Sequence, residues 1–308
     1  MKARILIGDV RTRLSEIPDQ SVQSCVTSPP YWGLRDYGND GQIGLEQTPD
    51  AYVAELVNVF REVNRVLKDD GTLWLNLGDS YASARDSKAS PDTLRTGDGT
   101  LVASAANRNP ANLKSAGLKH KDLVGIPWRV AFALQADGWY LRQDIIWAKP
   151  NPMPESVTDR CTKSHEYLFL LSKSAKYYFD NQAIRETAVT GSWDKLPPIG
   201  GKKHQENGNP TYSGNQPAND GKRNKRDVWT INTKPFKGAH FAVMPEALVE
   251  PCILAGSKAG DLILDPFSGS GTVGLVALTN NREYLGVELN PQYAEMSVKR
   301  IGLEAELG

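Results

Sequence analysis

Two stretches of the sequence combine residue types and spacing that are typical of a ligand site with chemistry of its own. The first is Asp265-Pro266-Phe267-Ser268-Gly269-Ser270-Gly271-Thr272, which follows one predicted strand, while Glu288 ends the next. Glycines let the backbone approach a ligand closely, and ligands of open α/β sheets bind beyond the carboxyl ends of the strands. The stretch therefore predicts a ligand site that includes two carboxylates.

The identity of this ligand depends on the acids beside the glycines. Gly269, Gly271 and Gly274 fit the GxGxxG pattern of dinucleotide sites. However, Asp265 would repel a pyrophosphate and suits the positive amine or sulfonium of S-adenosylmethionine, while Glu288 suits the two hydroxyls of a ribose. Only a short tail follows for the rest of a dinucleotide fold. The pattern favours S-adenosylmethionine; the alternatives are NAD and a tight strand–helix turn without ligand.

The second stretch is Thr27-Ser28-Pro29-Pro30-Tyr31-Trp32, after another predicted strand. Two prolines fix φ and remove two donors, so the carbonyls of Ser28 and Pro29 are predicted to be fixed acceptors. Tyr31 and Trp32 offer flat faces to a base. Acceptors that bind both hydrogens of an exocyclic amine favour a tetrahedral nitrogen, whose lone pair can attack a sulfonium methyl. A base in a duplex must be flipped out to reach such a site. The alternative is a rigid proline turn packed beneath aromatic rings.

Composition limits the class of protein. The chain has 308 residues, of which 40% are apolar and 23% charged, and 36 basic residues balance 36 acidic ones. Net charge therefore gives no sign of a nucleic-acid partner. The three cysteines are odd in number and far apart, which argues against a disulfide scaffold. The cysteines and the four histidines lack metal-ligand spacing, so no metal site is predicted. No apolar run is long enough to span a bilayer, and the N-terminus is too polar for a signal peptide. A cytoplasmic protein is expected.

Regular elements must position both stretches. Strands alternating with helices predict an α/β fold with a mostly parallel sheet covered on both faces. Periodicity predicts strands over residues 4–8, 22–27, 72–77, 140–147, 167–171, 261–264 and 284–287. It predicts helices over residues 50–68, 123–136, 245–255, 272–279 and from 291 onward.

Two irregular segments interrupt these elements, at residues 81–122 and about 191–238. Residues 200–237 contain eight basic and three acidic side chains, together with many Asn and Gln, which can pair with base edges. This basic segment is predicted to recognise DNA, with the alternative that it is a solvated loop. Segment 81–122 is either a second DNA-contacting arm or a disordered insertion. The predicted DNA-binding residues are Lys202, Lys203, Lys222, Arg223, Lys225 and Arg226.

Taken together and in this order, the motifs resemble the circularly permuted beta group of DNA amino-methyltransferases, the N4-cytosine and N6-adenine family. The resemblance covers about three quarters of the chain, and segment 81–122 departs from it. The matching motifs are residues 7–9, 27–32, 71–79, 146–151, 165–167, 240–245, 265–272 and 286–288.

The resemblance implies a seven-stranded, mostly parallel, Rossmann-like sheet with one reversed strand near residues 167–171 and helices on both faces. It places Asp9 near the cofactor adenine, Glu288 at its ribose, and residues 265–272 and His240 around its methionine part. Ser28, Pro29, Pro30 and Tyr31 are the implied catalytic residues. We expect residues 1–190 and 240–308 to form one catalytic domain and residues 191–239 to form a target-recognition segment.

The expected activity is site-specific methylation of duplex DNA by base flipping. We expect a prokaryotic or phage-encoded enzyme that is a monomer or homodimer. A cognate restriction endonuclease is a candidate partner. Ser28 opens the loop where adenine enzymes of the family more often have Asp or Asn. A serine hydroxyl can donate to N3 or O2 of cytosine, so N4-methylcytosine is the expected product, with N6-methyladenine as the alternative. A DNA-binding protein without catalysis and an RNA methyltransferase are further alternatives.

Overall fold

A mostly parallel sheet forms the centre of the computed structural model. The structure describes residues 2–33, 38–82, 116–188, 221–234 and 243–302, and the backbone alone of residues 94–95, 101–102 and 305–307. The described strands are β1 (Ala3–Ile7), β2 (Val22–Thr27), β3 (Leu67–Leu77), β4 (Leu94–Arg95), β5 (Leu101–Val102), β6 (Tyr140–Ala148), β7 (His165–Ser172), β8 (Glu186–Thr187), β9 (Lys222–Arg223), β10 (Val228–Thr230), β11 (Leu262–Asp265), β12 (Glu283–Glu288) and β13 (Ala305–Leu307).

The order of strands in the sheet confirms the predicted fold class. Nine of the described strands form it, in the order β10-β6-β7-β3-β2-β11-β12-β1-β13. Every pairing is parallel except those of β7, which runs antiparallel to both β3 and β6. This is the reversed strand that the resemblance implied. The expected seven strands form the middle of the sheet, and the short strands β10 and β13 extend it at its two edges. Because β10 lies within residues 191–239, part of the predicted target-recognition segment joins the main sheet.

The two ends of the chain meet in this sheet, as a circularly permuted order requires. β1 pairs with β12 in parallel, with Ile7 opposite Glu288. The Gly8 amide donates to the Glu288 carbonyl at 2.9 Å, which continues the pairing past the strand. The polar residues that follow these two strands therefore lie at the same edge of the sheet.

Helices cover both faces. They are α1 (Val10–Arg13), α2 (Pro49–Val66), α3 (Ile126–Ala136), α4 (Glu246–Gly256), α5 (Thr272–Thr279) and α6 (Pro291–Ile301), with a 3₁₀ turn at Leu14–Glu16. Alternate strand residues point to opposite faces. Leu73 and Leu75 pack in a core with α1, α2 and α3, whereas Trp74 packs in a second core with α4, α5 and α6. The two cores explain why the central strands read as continuous apolar runs.

The boundary between α2 and β3 differs most from the sequence expectation. The helix predicted to reach residue 68 ends at Val66, and the chain turns at once into β3, which begins at Leu67 rather than at residue 72. The reason is tertiary pairing, since Leu67 is fully buried and lies opposite Val22 of β2. Gly71, expected beyond the helix end, lies inside the strand.

Candidate active site

The predicted functional residues gather at one edge of the sheet. β1, β2, β11 and β12 are neighbouring parallel strands, so their carboxyl ends meet there, and a cavity of about 860 Å³ opens beside them. The predicted site residues that line it are Asp9, Ser28, Pro29, Pro30, Tyr31, Asp265, Pro266, Phe267, Ser268, Gly269, Ser270, Thr272 and Glu288. Both stretches with candidate chemistry therefore face a single cavity.

Asp265 is the most deeply buried acid of this cavity. Its carboxylate accepts hydrogen bonds from the Thr27 hydroxyl at 2.6 Å and from the Phe267 amide at 3.1 Å. The Thr27 bond joins the end of β11 to the residue immediately before the Ser-Pro-Pro-Tyr loop. Burial raises the pKa of Asp265 to about 7, against the lowering effect of the two hydrogen bonds, and nearby Glu288 raises it further.

Glu288 closes the glycine turn from the neighbouring strand. Its two oxygens accept from the Gly269 amide at 2.8 Å and from the Asn290 amide at 2.9 Å. Burial raises the pKa of this carboxyl, and the backbone donors oppose that effect. The carboxylate is thus fixed in orientation at the cavity wall.

The turn itself requires glycine at one position. Gly271 has φ of 74° and caps α5, and a Cβ there would lie 2.1 Å from the Ser297 hydroxyl oxygen. Arg300 approaches from α6 and donates to the hydroxyls of Ser270 at 2.9 Å and Thr272 at 2.8 Å. These contacts position the loop and the start of α5, and they explain why Gly271 shapes the site without lining the cavity.

Asp9 lies at the end of β1 and caps α1. Its side chain accepts from the Arg11 amide at 2.9 Å and forms an ion pair with the Arg11 guanidinium at 2.5 Å. The hydrogen bond from Arg11 lowers the pKa of the Asp9 carboxyl. Arg11 also reaches Glu55 and the Gly41 carbonyl. Asp9 is therefore a charged acceptor held in place at the cavity wall.

The proline loop follows β2, as expected. The Tyr52 hydroxyl donates to the Pro30 carbonyl at 2.8 Å and thereby attaches the loop to α2. Among the described residues, the Ser28 hydroxyl has a single long contact of 3.5 Å, to the Tyr31 hydroxyl. Because the Pro30 carbonyl is occupied, the carbonyls of Ser28 and Pro29 are the loop's candidate acceptors for a ligand.

The expectation that Trp32 offers a flat face is wrong. The indole is 4% exposed and packs in the core with α2. Its Nε1 donates to the Glu46 carbonyl at 2.8 Å, which satisfies the polar end of the buried ring. Of the two aromatic residues in the motif, Tyr31 alone faces the cavity.

Tyr31 has partners that the sequence reasoning did not assign. Its hydroxyl donates to Glu166 Oε2 at 2.7 Å, and the Asn76 amide donates to the same oxygen at 3.2 Å. The other carboxylate oxygen pairs with Lys149. Burial raises the pKa of the Tyr31 phenol well above its usual range, and the Glu166 charge adds to that effect. Asn76, Lys149 and Glu166 lie within the matching motifs 71–79, 146–151 and 165–167. The sequence therefore indicated these positions but assigned no role to them.

His165 lies beside this network and lines the cavity. Its ring contacts Tyr167 edge-on, with 5.3 Å between ring centroids.

The four described residues predicted to bind DNA do not line the cavity, although Thr233 and Lys234 of the same basic segment do. Arg223 and Arg226 both donate to Glu186, at 2.8 and 2.7 Å, and Lys225 lies 4.8 Å from the centre of the Trp229 ring. Lys222 begins the short strand β9. The predicted residues Lys202, Lys203 and His240 lie outside the described residues.

Two further observations concern the described residues as a whole. They contain no group of three or more His, Cys, Asp or Glu side chains that would hold a metal ion. None of the helices they form is both long enough and apolar enough to cross a bilayer.

Comparisons with known proteins agree with this geometry. Residues 22–299 match the model of a DNA methylase family of N6 and N4 methyltransferases. The chain is 48% identical to the Type II methyltransferase M.Cfr9I of Citrobacter freundii, over 97% of this chain and 87% of the relative. It is also 48% identical to the Type II methyltransferase M.SmaI of Serratia marcescens, over 97% of this chain and 90% of that one.

Solved structures show the same fold. The PvuII DNA methyltransferase (cytosine-N4-specific) superposes with a TM-score of 0.64 at 19% identity, covering 98% of this chain and 87% of that chain. A DNA modification methylase of Thermus thermophilus, solved in complex with S-adenosyl-L-methionine, superposes with a TM-score of 0.61 at 24% identity, covering 99% and 97%. Since the family model covers most of the chain and close relatives cover nearly all of it, the chain belongs to the family of N6 and N4 DNA amino-methyltransferases, which take their methyl group from S-adenosylmethionine.

Proposed function

We propose that this enzyme transfers a methyl group from S-adenosylmethionine to N4 of cytosine within a specific sequence of duplex DNA. The observation that carries the proposal is the shared cavity, which is lined by the glycine turn and Glu288 on one side and by Ser28 and Tyr31 on the other. Donor and acceptor sites within one cavity allow direct transfer, and positioning supplies much of the rate enhancement.

The glycine turn, Glu288 and Asp9 form the methyl-donor side of the cavity, and their residues fit this cofactor. In the proposal, Asp265 faces the positive methionine part, Glu288 the ribose hydroxyls and Asp9 the adenine. The described acids suit these partners because Asp265 is buried without a cation of its own, while Glu288 and Asp9 are fixed by backbone donors. When bound, S-adenosylmethionine supplies an activated methyl on a positively charged sulfur.

On the acceptor side, the target base enters between the proline loop and the carboxyl end of β3. In the proposal, the carbonyls of Ser28 and Pro29 accept the two hydrogens of the amine, and the Tyr31 ring stacks on the base. The amine nitrogen forms a bond to the methyl carbon as the carbon–sulfur bond breaks, and the methylated nitrogen then loses one proton. Fixed acceptors stabilise the positive charge that develops on that nitrogen.

The surroundings of Tyr31 support cytosine over adenine. Cytosine presents two acceptors, N3 and O2, on the same side of the ring as its amine. The Ser28 hydroxyl, whose one contact among the described residues is the long one with Tyr31, can donate to either of them. The Lys149 ammonium adds N–H donors to the same wall of the cavity. Adenine has no carbonyl oxygen to meet them. N6-adenine methylation is the alternative, because adenine also carries an acceptor, N1, beside its amine.

The basic segment is proposed to contact the DNA backbone. Arg226 is 63% exposed although it pairs with Glu186, and Arg223 Nη2 is buried without a hydrogen-bond partner among the described residues. Arg and Lys side chains that reach phosphates position a protein on DNA, whereas contacts with base edges determine sequence. Since the relatives are named Type II methyltransferases, the proposal includes protection of the site against a nuclease with the same specificity.

The test is to express the enzyme in cells that lack DNA methylation, digest their DNA to nucleosides and analyse the products by mass spectrometry. The expected product is N4-methylcytosine, absent from cells that carry Tyr31→Ala, and sequencing then locates the site. Methyl groups on adenosine alone would establish the alternative. A protein that binds DNA and S-adenosylmethionine but leaves every base unmodified would contradict the proposal.

A further inference from the structure

We propose that Glu166 and Lys149 are positioning residues of this active site: their ion pair holds the Tyr31 hydroxyl and fixes the plane of the ring that receives the target base. The inference rests on the proposed function, because it assigns to Tyr31 the stacking role given above. It concerns residues to which neither the Ser-Pro-Pro-Tyr motif nor the cofactor motif assigns a task.

The contacts of Glu166 account for both of its oxygens. Oε2 accepts from the Tyr31 hydroxyl at 2.7 Å and from the Asn76 amide at 3.2 Å. Oε1 pairs with the Lys149 ammonium. The Asn76 amide also donates to the Tyr167 carbonyl at 3.1 Å, which attaches it to the next strand. A carboxylate with this set of donors is fixed in position.

The network connects a loop to the rigid part of the fold. Asn76 lies in β3, Glu166 lies in β7 and Lys149 directly follows β6, and these three strands are paired side by side. Tyr31 lies beyond the end of β2, in the proline loop. The hydroxyl bond to Glu166 therefore attaches the tip of a loop side chain to the middle of the sheet.

One edge of the ring is held by close packing. A Cβ on Gly78 would lie 2.5 Å from Tyr31 Cε2, so the ring lies directly against the backbone at that position. With its edge against Gly78 and its hydroxyl on Glu166, the ring has few rotations left. A preset ring costs less conformational entropy when the base arrives.

A charged partner suits this role better than a neutral one. Hydrogen bonds to a carboxylate are shorter and about twice as strong as neutral ones. Lys149 and Glu166 are each 16% exposed, and Lys149 lies 4.1 Å from the centre of the Trp147 ring. Removing one member of such a pair leaves an uncompensated charge, so Lys149 holds Glu166 in place. Burial keeps the pKa of Tyr31 high, so the phenol remains a donor.

The experiment is a double-mutant cycle on methyl transfer to genomic DNA, with Tyr31→Phe, Glu166→Gln and the two combined. Each single variant should lower kcat roughly tenfold to a hundredfold, the range for loss of a charge-assisted hydrogen bond. The affinity for S-adenosylmethionine should stay unchanged. The combined variant should lose no more than Tyr31→Phe alone, because both changes remove the same bond.

A pH profile separates positioning from proton transfer. If Glu166 served as a general base, Glu166→Gln would remove the acidic limb of kcat; a positioning role predicts the same profile at a lower plateau. The matched control is Asp137→Asn. This change breaks the ion pair between Arg61 and Asp137, an acid that is 17% exposed and lies away from the cavity. It should leave kcat unchanged. Because Glu166→Gln leaves Lys149 without its partner, the combination Glu166→Gln with Lys149→Met tests the network if the single variant unfolds.

The outcomes are distinct. Wild-type kcat in Tyr31→Phe, or losses that multiply in the combined variant, would overturn the positioning role while the proposed function stands. A wild-type enzyme that transfers no methyl to DNA would overturn both. Loss of the acidic limb in Glu166→Gln would replace positioning with proton transfer.

Discussion

Burial raises the pKa of the Asp265 carboxyl to about 7, so near neutral pH the side chain of the free enzyme exchanges between neutral and charged forms. The amine and sulfonium of S-adenosylmethionine are cations, and a nearby cation favours the charged form of a carboxyl. If Asp265 faces them, binding must release a proton wherever the free carboxyl is protonated. The affinity for the cofactor should then rise with pH until Asp265 is fully ionised.

The size of the effect follows from the fraction of charged carboxyl. With a pKa of about 7, roughly half of the free enzyme is charged at pH 7 and about one eleventh at pH 6, and apparent affinity scales with the competent fraction. The dissociation constant should therefore fall about tenfold from pH 6 to pH 8, which corresponds to about 1.4 kcal/mol. Glu288 also faces Asp265, whereas Cys25 and Tyr284 have pKa values raised far enough by burial to remain neutral.

The raised pKa of Asp265 has the opposite effect on the stability of the free enzyme, which should fall as pH rises. The pKa rises from 3.8 to about 7 on folding, so the folded state binds more protons than the unfolded state between these values. The stabilisation is fully present at pH below 3.8 and is lost as pH rises through about 7. Asp265→Asn, which stays neutral, should therefore raise the melting temperature of the free enzyme at pH 8.

Isothermal titration of S-adenosylmethionine at pH 6, 7 and 8, in two buffers of different ionisation enthalpy, measures both affinity and proton release. Asp265→Asn should bind the cofactor more weakly at pH 8 and lose the pH dependence, whereas Glu288→Gln should bind more weakly and keep it. Equal affinity of the wild type at pH 6 and pH 8, or an unchanged slope in Asp265→Asn, would refute the placement of Asp265 beside the cofactor's positive charge.

Two further predictions concern the acceptor side. Gly78→Ala places a methyl group where the Tyr31 ring lies. The turnover number kcat should therefore fall by about a hundredfold, the cost of a displacement near 1 Å, while calorimetry should show unchanged cofactor affinity. A wild-type kcat would contradict the packing argument. Alanine at all four basic positions of the described segment should weaken DNA binding and flatten its dependence on salt, as measured by fluorescence anisotropy; an identical salt slope would show that these side chains do not contact phosphate. The four positions are Lys222, Arg223, Lys225 and Arg226.

The sequence was sufficient to predict that Asp265 and Glu288 lie together at one edge of the sheet. Periodicity located α5 with its observed bounds, Thr272–Thr279, because an apolar stretch begins directly after glycine. Asp265 and Glu288 could be assigned to one edge because each ends a strand in an alternating α/β pattern. Parallel strands bring their carboxyl ends together, so order along the chain was enough to predict proximity in space.

The partners of Tyr31 could not be predicted in the same way. Glu166 and Asn76 come together because β7 pairs antiparallel with β3, with Tyr167 opposite Leu77, and no local pattern encodes that register. The prediction for Trp32 was wrong for a related reason. Its burial depends on α2 and on the Glu46 carbonyl, which lie later in the chain, so the dipeptide Tyr31-Trp32 alone does not reveal which ring faces the cavity.

The pairing of β1 with β12 has a consequence for protein synthesis. A ribosome adding about 5–20 residues per second would complete β12 roughly 15 to 55 seconds after β1. During that interval the edge of β1 that β12 will cover has no partner, and the wall of the cavity formed by Glu288 does not exist. The growing chain therefore cannot complete this wall of the cavity before Glu288 has been translated. Contacts between residues so distant in sequence also slow folding, so moving residues 243–302 ahead of β1 in a rearranged gene should shorten the time to the first active enzyme.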